Sequence, residues 1–391
     1  MMQRDTLPPA LFRLGFRPFF IAGALLATLA IPIWIAALTG AIAWQPAGGW
    51  LGWHRHEMLF GFAGAIIAGF LLTAVQNWTG VPGPRGKPLM ALAGLWLAAR
   101  VAWLGSAPMW LLLPLELAFL PALAFFIGRS LISVRQSRNY PVLGVLVLLA
   151  VADLLVMLGL TLGDDSLARQ GNQGALWLIA ALIGIVGGRV IPFFTRNGLS
   201  LAAAAEPLPW LDNLLLGGSI LIALTMFAGP ALSPTPWLAS IFIVLGVGHL
   251  CRLARWYNPG IWKVPLLWSL HLAYGWLAIA CLAMACWHLG WHMTFSQATH
   301  LLALGGMSGI ILAMIARVSL GHTGRPLQAP AVMTVAFVLI NLAVPVRIWL
   351  PAVSVPGALW LAAAAWTVAF GLFVWHYVPI LSRPRPDGGP G

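Results

Sequence analysis

An all-α integral membrane protein, a bundle of about twelve transmembrane helices, is the fold class that three observations predict. Of 391 residues, 61% are hydrophobic and only 8% charged, and the mean hydropathy is +0.91, which no ordinary soluble domain shows. The apolar residues fall into continuous runs, most of them about 17–25 residues long, enough to cross ~30 Å of hydrocarbon at ~1.5 Å per residue. Those runs lack the alternation of barrel strands, so they read as helices.

The first span, 19–40, follows Leu11-Phe12-Arg13-Leu14-Gly15-Phe16-Arg17-Pro18. This start resembles a signal sequence, but it has no small-x-small cleavage site and is of full spanning length, so it reads as a retained helix. The second span, 57–76, opens on His54-Arg55-His56-Glu57. A turn rich in proline and glycine, Pro82 to Pro88, leads to 88–105 and then 109–128. The spans 140–162, 174–194, 209–228 and a shorter 236–251 follow. The ninth, 264–288, carries His271 about seven residues inside its start. The tenth, 300–320, opens on His300 and ends at Gly321-His322-Thr323-Gly324-Arg325-Pro326, where the glycines and proline stop a helix. The spans 330–349 and 356–380 complete the set, leaving residues 1–18 and a flexible tail, 381–391, outside a single polytopic domain.

Charge supplies the topology. With the N-terminus in the cytoplasm, 17 of the 21 Lys and Arg residues fall on that side, and only Arg55, Arg100, Arg169 and Arg347 lie opposite. Positive residues concentrate on cytoplasmic loops, so both termini are expected on the cytoplasmic side. The net charge of +12 is a topology signal; the basic residues form no nucleic-acid face. Tryptophans such as Trp44, Trp50, Trp53, Trp110 and Trp291 sit near span ends as interfacial anchors among the lipids. Three cysteines with no CxxC pair indicate neither a disulfide framework nor a thiolate cage.

Laid together without gaps, the second and tenth spans share six identities over 25 positions, His56 falling on His300, Gly61 on Gly305 and Thr79-Gly80 on Thr323-Gly324. In the same frame Arg189-Val190 of the sixth span falls on Arg317-Val318. Three repeats of four helices would place the matching helix second in each.

An ionisable side chain in hydrocarbon costs roughly 2.5–3.5 kcal/mol on insertion scales, so it needs a partner, a cavity or a ligand. The topology sorts such residues into two layers. Toward the outer side lie His54, His56, His288, His292, His300, Glu57, Glu116 and Asp153; toward the inner side lie His249, His322 and His376. The layers are roughly 35 Å apart along a helix, too far for one metal ion. His54, His56 and His300 are the candidate metal ligands, since neutral imidazole suits copper, iron or zinc, and Glu57 could orient a ring or take protons. His54 and His56, two apart, do not share a helix face, but at a helix start one of them could belong to the incoming loop. His288 and His292, beside Trp287 and Trp291, read as interface residues. His271 and His322 are candidate haem ligands, with Arg189 and Arg317 as partners for propionates. No Walker loop, Rossmann fingerprint or nucleophile elbow is present.

The blocks His54-Arg55-His56-Glu57-Met58-Leu59-Phe60-Gly61-Phe62 and Phe70 through Gly80, with Arg189-Val190-Ile191-Pro192-Phe193-Phe194-Thr195 and Ala316 through Pro326, resemble the NnrS family of membrane proteins. So does the segment Leu11–Phe20, and the likeness spans essentially the whole chain; Gln76 stands where proline is expected. The resemblance implies a twelve-span inner-membrane protein with haem b and copper, serving the nitrogen-oxide response of denitrifying bacteria and protecting against nitric oxide stress. It would act by binding or redox handling of nitric oxide or a related nitrogen oxide, or by sparing iron pools; whether that amounts to enzyme turnover, and the electron donor, stay open. Two other readings of the same polar residues are a transporter of a metal ion or small anion and a quinol-linked membrane oxidoreductase. The resemblance by itself assigns no ligand residue.

Overall fold

The computed structural model describes residues 8–389, so residues 1–7 and 390–391 of the two terminal segments, Arg4 among them, lie outside the described residues. Among the described residues there are helices and no strands, and twelve helices are long and apolar enough to cross a membrane. They are α1 Phe16–Leu38, α2 Gly49–Thr79, α3 Lys87–Leu104, α4 Met109–Ser133, α5 Ser137–Leu162 and α6 Asp165–Gly198. The rest are α7 Pro209–Ala228, α8 Pro236–Trp256, α9 Pro265–His288, α10 Phe295–His322, α11 Ala331–Ala352 and α12 Val355–Leu381. The chain is a multi-pass membrane protein.

Local sequence sets the helix ends. Prolines occupy the first turns of α7, α8 and α9, where their missing N–H costs nothing. Gly80, Gly163 and Gly229 close α2, α5 and α7 in the left-handed region, at φ of 70°, 72° and 94°. Asp164 caps α6 by accepting from the Leu167 N–H, and a Thr294–Gln297 capping box starts α10. The eighth span, expected to be short, has 21 residues, and α6 is the longest at 34.

Burial distinguishes centre from rim. The apolar windows of α2 and α10 are 89% and 94% buried inside the protein, and those of α9 and α6 are 72% and 67%. The other eight are 50% buried or less, leaving apolar side chains such as Leu29, Val101, Phe125 and Leu361 for the lipid. Consecutive helices pack as hairpins from α3 to α7, and α1 packs on α12 to close the ring. Arg17, fully buried, holds that closure by donating to the carbonyls of Leu381 at 2.8 Å and Arg383 at 2.7 Å. The end of the bundle where the chain termini meet is the terminal face, and the other is the far face.

Both α2 and α10 change winding at matched positions. Glu57–Ala63 and Leu301–Ser308 are π-helical, each starting one residue after the histidine that the alignment pairs, His56 or His300. Such segments are rare and concentrate at functional sites. The Ser308 hydroxyl donates to the carbonyl five residues back, Ala303, at 2.7 Å.

Candidate functional site

Near the far face, α2, α3, α4 and α5 bring five ionisable side chains into one buried cluster: His56, Glu57, Arg100, Glu116 and Asp153, each 5% exposed or less. His56 Nδ1 lies 3.2 Å from Glu57 Oε1, and its Nε2 lies 3.0 Å from Asp153 Oδ1. Arg100 Nε is 3.0 Å from Glu57 Oε2, and another of its nitrogens pairs with Glu116. The Trp103 indole N–H also donates to Glu116. Glu57 can fold back along its helix because position 61 is glycine: a Cβ there would meet Glu57 Oε2 at 2.7 Å and Leu26 at 2.9 Å. With His56 protonated, two cations face three carboxylates, so the cluster compensates most of its own charge. His56, Glu57 and Glu116 could each offer a ligand atom to one ion, the atoms lying within 4.8 Å of one another. The Arg100 guanidinium already stands among those oxygens, and a set of oxygens with one imidazole suits harder cations than copper.

His54 and His56 are both helical, because α2 begins at Gly49 and leaves neither in the incoming loop. They therefore point different ways. The His54 ring stacks on Trp34, with centroids 4.6 Å apart and 5° between planes, and its Nδ1 is buried without a hydrogen-bond partner. His54 lies near the start of α2 and His300 near the start of α10, both at this end of the bundle. His300 Nδ1 donates to the Ser296 carbonyl at 2.7 Å, a bond that fixes the ring and leaves Nε2 as the available donor. His54, unlike His56, pairs with no carboxylate among the described residues. His288 is buried, and its Nδ1 accepts from the Thr235 N–H at 3.1 Å at the start of α8, while His292 is exposed.

At the terminal face a cavity of about 400 Å³ opens between α2, α6 and α10, toward the lower end of the usual size for a ligand pocket. His322, Arg189 and Asn77 contribute its polar groups, and Phe70, Phe193, Phe194 and Met314 are among its apolar walls. Among the described residues the His322 ring makes no hydrogen bond; it packs 5.5 Å from Phe16, and its backbone carbonyl accepts from Arg385. Arg189 is braced by Asn139 Oδ1 and the Arg138 carbonyl. Arg317 is 5% exposed, and its guanidinium carbon lies 3.9 Å from the centroid of Phe194, a wall residue. Among the described residues Arg317 has neither a hydrogen bond nor an ion pair. A buried cation in that state calls for an anion.

Deeper in the bundle a second, smaller cavity, of about 80 Å³, lies between the same three helices and Phe20 of α1. It shares Phe70, Val186, Val190 and Met314 with the terminal-face cavity. His271 lines neither cavity. Its Nδ1 donates to the Leu267 carbonyl at 2.9 Å, which fixes the ring. Of the four expected haem-site residues, then, His322 and Arg189 line one cavity, Arg317 lies over Phe194 in its wall, and His271 stands apart. A further polar network, not anticipated, joins His249, Tyr274, Arg252 and Asp212: Tyr274 donates to His249 Nδ1 at 2.8 Å and accepts from Arg252 at 3.0 Å, and Arg252 pairs with Asp212 at 2.7 Å. Arg100 stands outside the expected site residues, and a lone arginine inside an apolar helix, with acids on neighbouring spans, is the signal for its ion pairs.

Two comparisons bear on kinship. The family described as NnrS protein matches residues 10–385, nearly the whole chain. No curated protein matches it.

Proposed function

The chain belongs to the NnrS family, and on that premise we propose that it is a haem- and copper-binding protein of the bacterial inner membrane that lessens nitric oxide toxicity. Family membership supports a membrane protein of the nitric oxide response in general. The finer reading is carried by one observation: the unpaired, buried Arg317 beside an apolar-walled cavity lined also by His322 and Arg189. Haem needs an imidazole, cations for its carboxylates and an apolar enclosure, and this donor set fits.

When bound, haem b supplies a gas-binding iron and copper supplies a one-electron redox centre. Every other role belongs to the protein. His322 holds the haem from the end of α10, and Arg189 and Arg317 neutralise its two carboxylates. Phe70, Phe193 and Phe194 keep water from the macrocycle. His54 and His300 hold copper near the far face, with the Ser296 carbonyl orienting His300 and Trp34 shielding His54. His56 stays with its carboxylates, and Glu57, on its Nδ1, is placed to exchange a proton with that ring. His300 and His322 lie at opposite ends of one helix, about 33 Å apart at helical rise, so the two centres are separate. The positive-charge asymmetry puts the terminal face, and both chain termini, in the cytoplasm. The matched π segments of α2 and α10 support the equivalence of those two helices, whereas α6 is α-helical throughout.

Metal and haem analysis of protein purified from haem- and copper-replete cells tests this reading. The wild type is expected to show a Soret band and bound copper, with His300→Ala losing copper and keeping haem. A colourless, copper-free protein contradicts the reading and returns the polar residues to a transport pathway. Quinol-dependent consumption of nitric oxide by the loaded protein would make it an oxidoreductase rather than a binder.

A further inference from the structure

We infer that the apolar chamber at the centre of the bundle is a holding site for a small uncharged gas, nitric oxide being the occupant that the proposed function requires. The chamber is bounded by Ile66 and Phe70 of α2, Ile183 and Val186 of α6, and Ile311 and Met314 of α10, with other apolar residues between them, and no polar atom is exposed on its wall. Those three helices are central to the bundle, and the only other contributor is Phe20 of α1. Several wall residues keep a residual exposure of 4–8% although their helices are among the most buried, because their side chains border empty space.

An apolar cavity of this kind stays dry, since a water inside would forgo its hydrogen bonds, and it takes up small apolar species such as xenon or benzene. Nitric oxide is uncharged and makes weak hydrogen bonds, so it loses little on leaving water for such a wall. A lipid acyl chain is a poorer occupant: no helix with a mainly lipid-facing surface other than α1 contributes to the wall, and no polar group waits for a headgroup. The four shared residues place the chamber directly behind the terminal-face cavity. The inference therefore deepens the haem reading by giving the gas a store next to His322 and Arg189, and in that respect rests on it. The affinity of the chamber for apolar gas does not depend on any metal.

Xenon is the probe. Exchange NMR of xenon with the full-length, detergent-solubilised protein is expected to show saturable binding, abolished in Ile183→Phe and in Ile311→Phe, whose added ring atoms fill the space. Both variants should keep the Soret absorbance of the wild type, and nitric oxide should associate severalfold more slowly with them. Absence of saturable xenon binding overturns the inference while leaving the haem reading intact. So does xenon binding that survives both substitutions, or an acyl chain or quinone that co-purifies with the wild type and is lost from the variants. Should one variant fail to fold, the other and the wild-type titration still decide. A haem-free protein that binds xenon would instead sink the haem reading and spare the chamber.

Discussion

Replacing Arg100 with leucine is expected to destabilise the solubilised protein by about 3–5 kcal/mol, the usual result of removing one partner from a buried ion pair. Arg100 faces Glu57 and Glu116 at once, and both carboxylates are almost fully buried. Without the guanidinium, three acids would share only the His56 ring, and at least one of them would have to take up a proton or draw in water. Thermal melting in one detergent, comparing wild type, Arg100→Leu and Arg100→Leu/Glu116→Gln, measures the effect. Neutralising Glu116 removes much of the uncompensated charge, so the double variant should recover part of the loss. An Arg100→Leu protein as stable as the wild type would show that the cluster is not held by ion pairing.

The second large effect separates histidines that the sequence could not. His56→Ala should cost a similar ~3–5 kcal/mol, because it takes the ring from between Glu57 and Asp153. It should leave copper content unchanged. His300→Ala should do the reverse, removing copper with little change in melting, since among the described residues His300 bonds only Ser296 of its own helix, at the carbonyl and more weakly at the hydroxyl. Parallel melting curves and copper assays on the two variants read this out. Copper lost from His56→Ala with stability retained would assign the metal to the His56, Glu57 and Glu116 group instead.

The twelve spans were legible because long continuous apolar runs have no alternative home, and their number survived although individual ends moved. Ends moved most where polar residues continue a helix past the apolar window: α2 starts at Gly49 rather than near 57, and α6 at Asp165 rather than 174. That shift decides the chemistry at His54 and His56, since on one continuous helix residues two apart diverge by about 200°. The alignment of α2 with α10 made His56 and His300 equivalent, but positions equivalent in a repeat need not touch. The π turns that follow both histidines have no signature in composition or periodicity. Arg189, Arg317 and His322 were readable from a simpler rule, that charge inside a membrane helix needs a reason. Their convergence around one cavity depends on how α6 meets α10, which no local pattern encodes. His271 satisfied the same rule equally well, and only packing separates it from the cavity.

Whether His322 holds haem in the terminal-face cavity is tested most directly by cavity rescue. His322→Gly, purified from haem-replete cells, is expected to lack the Soret band and to regain it when haem and free imidazole are added together, with the Fe–imidazole vibration in resonance Raman shifting when the imidazole is isotopically labelled. A His322→Gly protein that retains its full Soret absorbance without added imidazole would contradict the assignment.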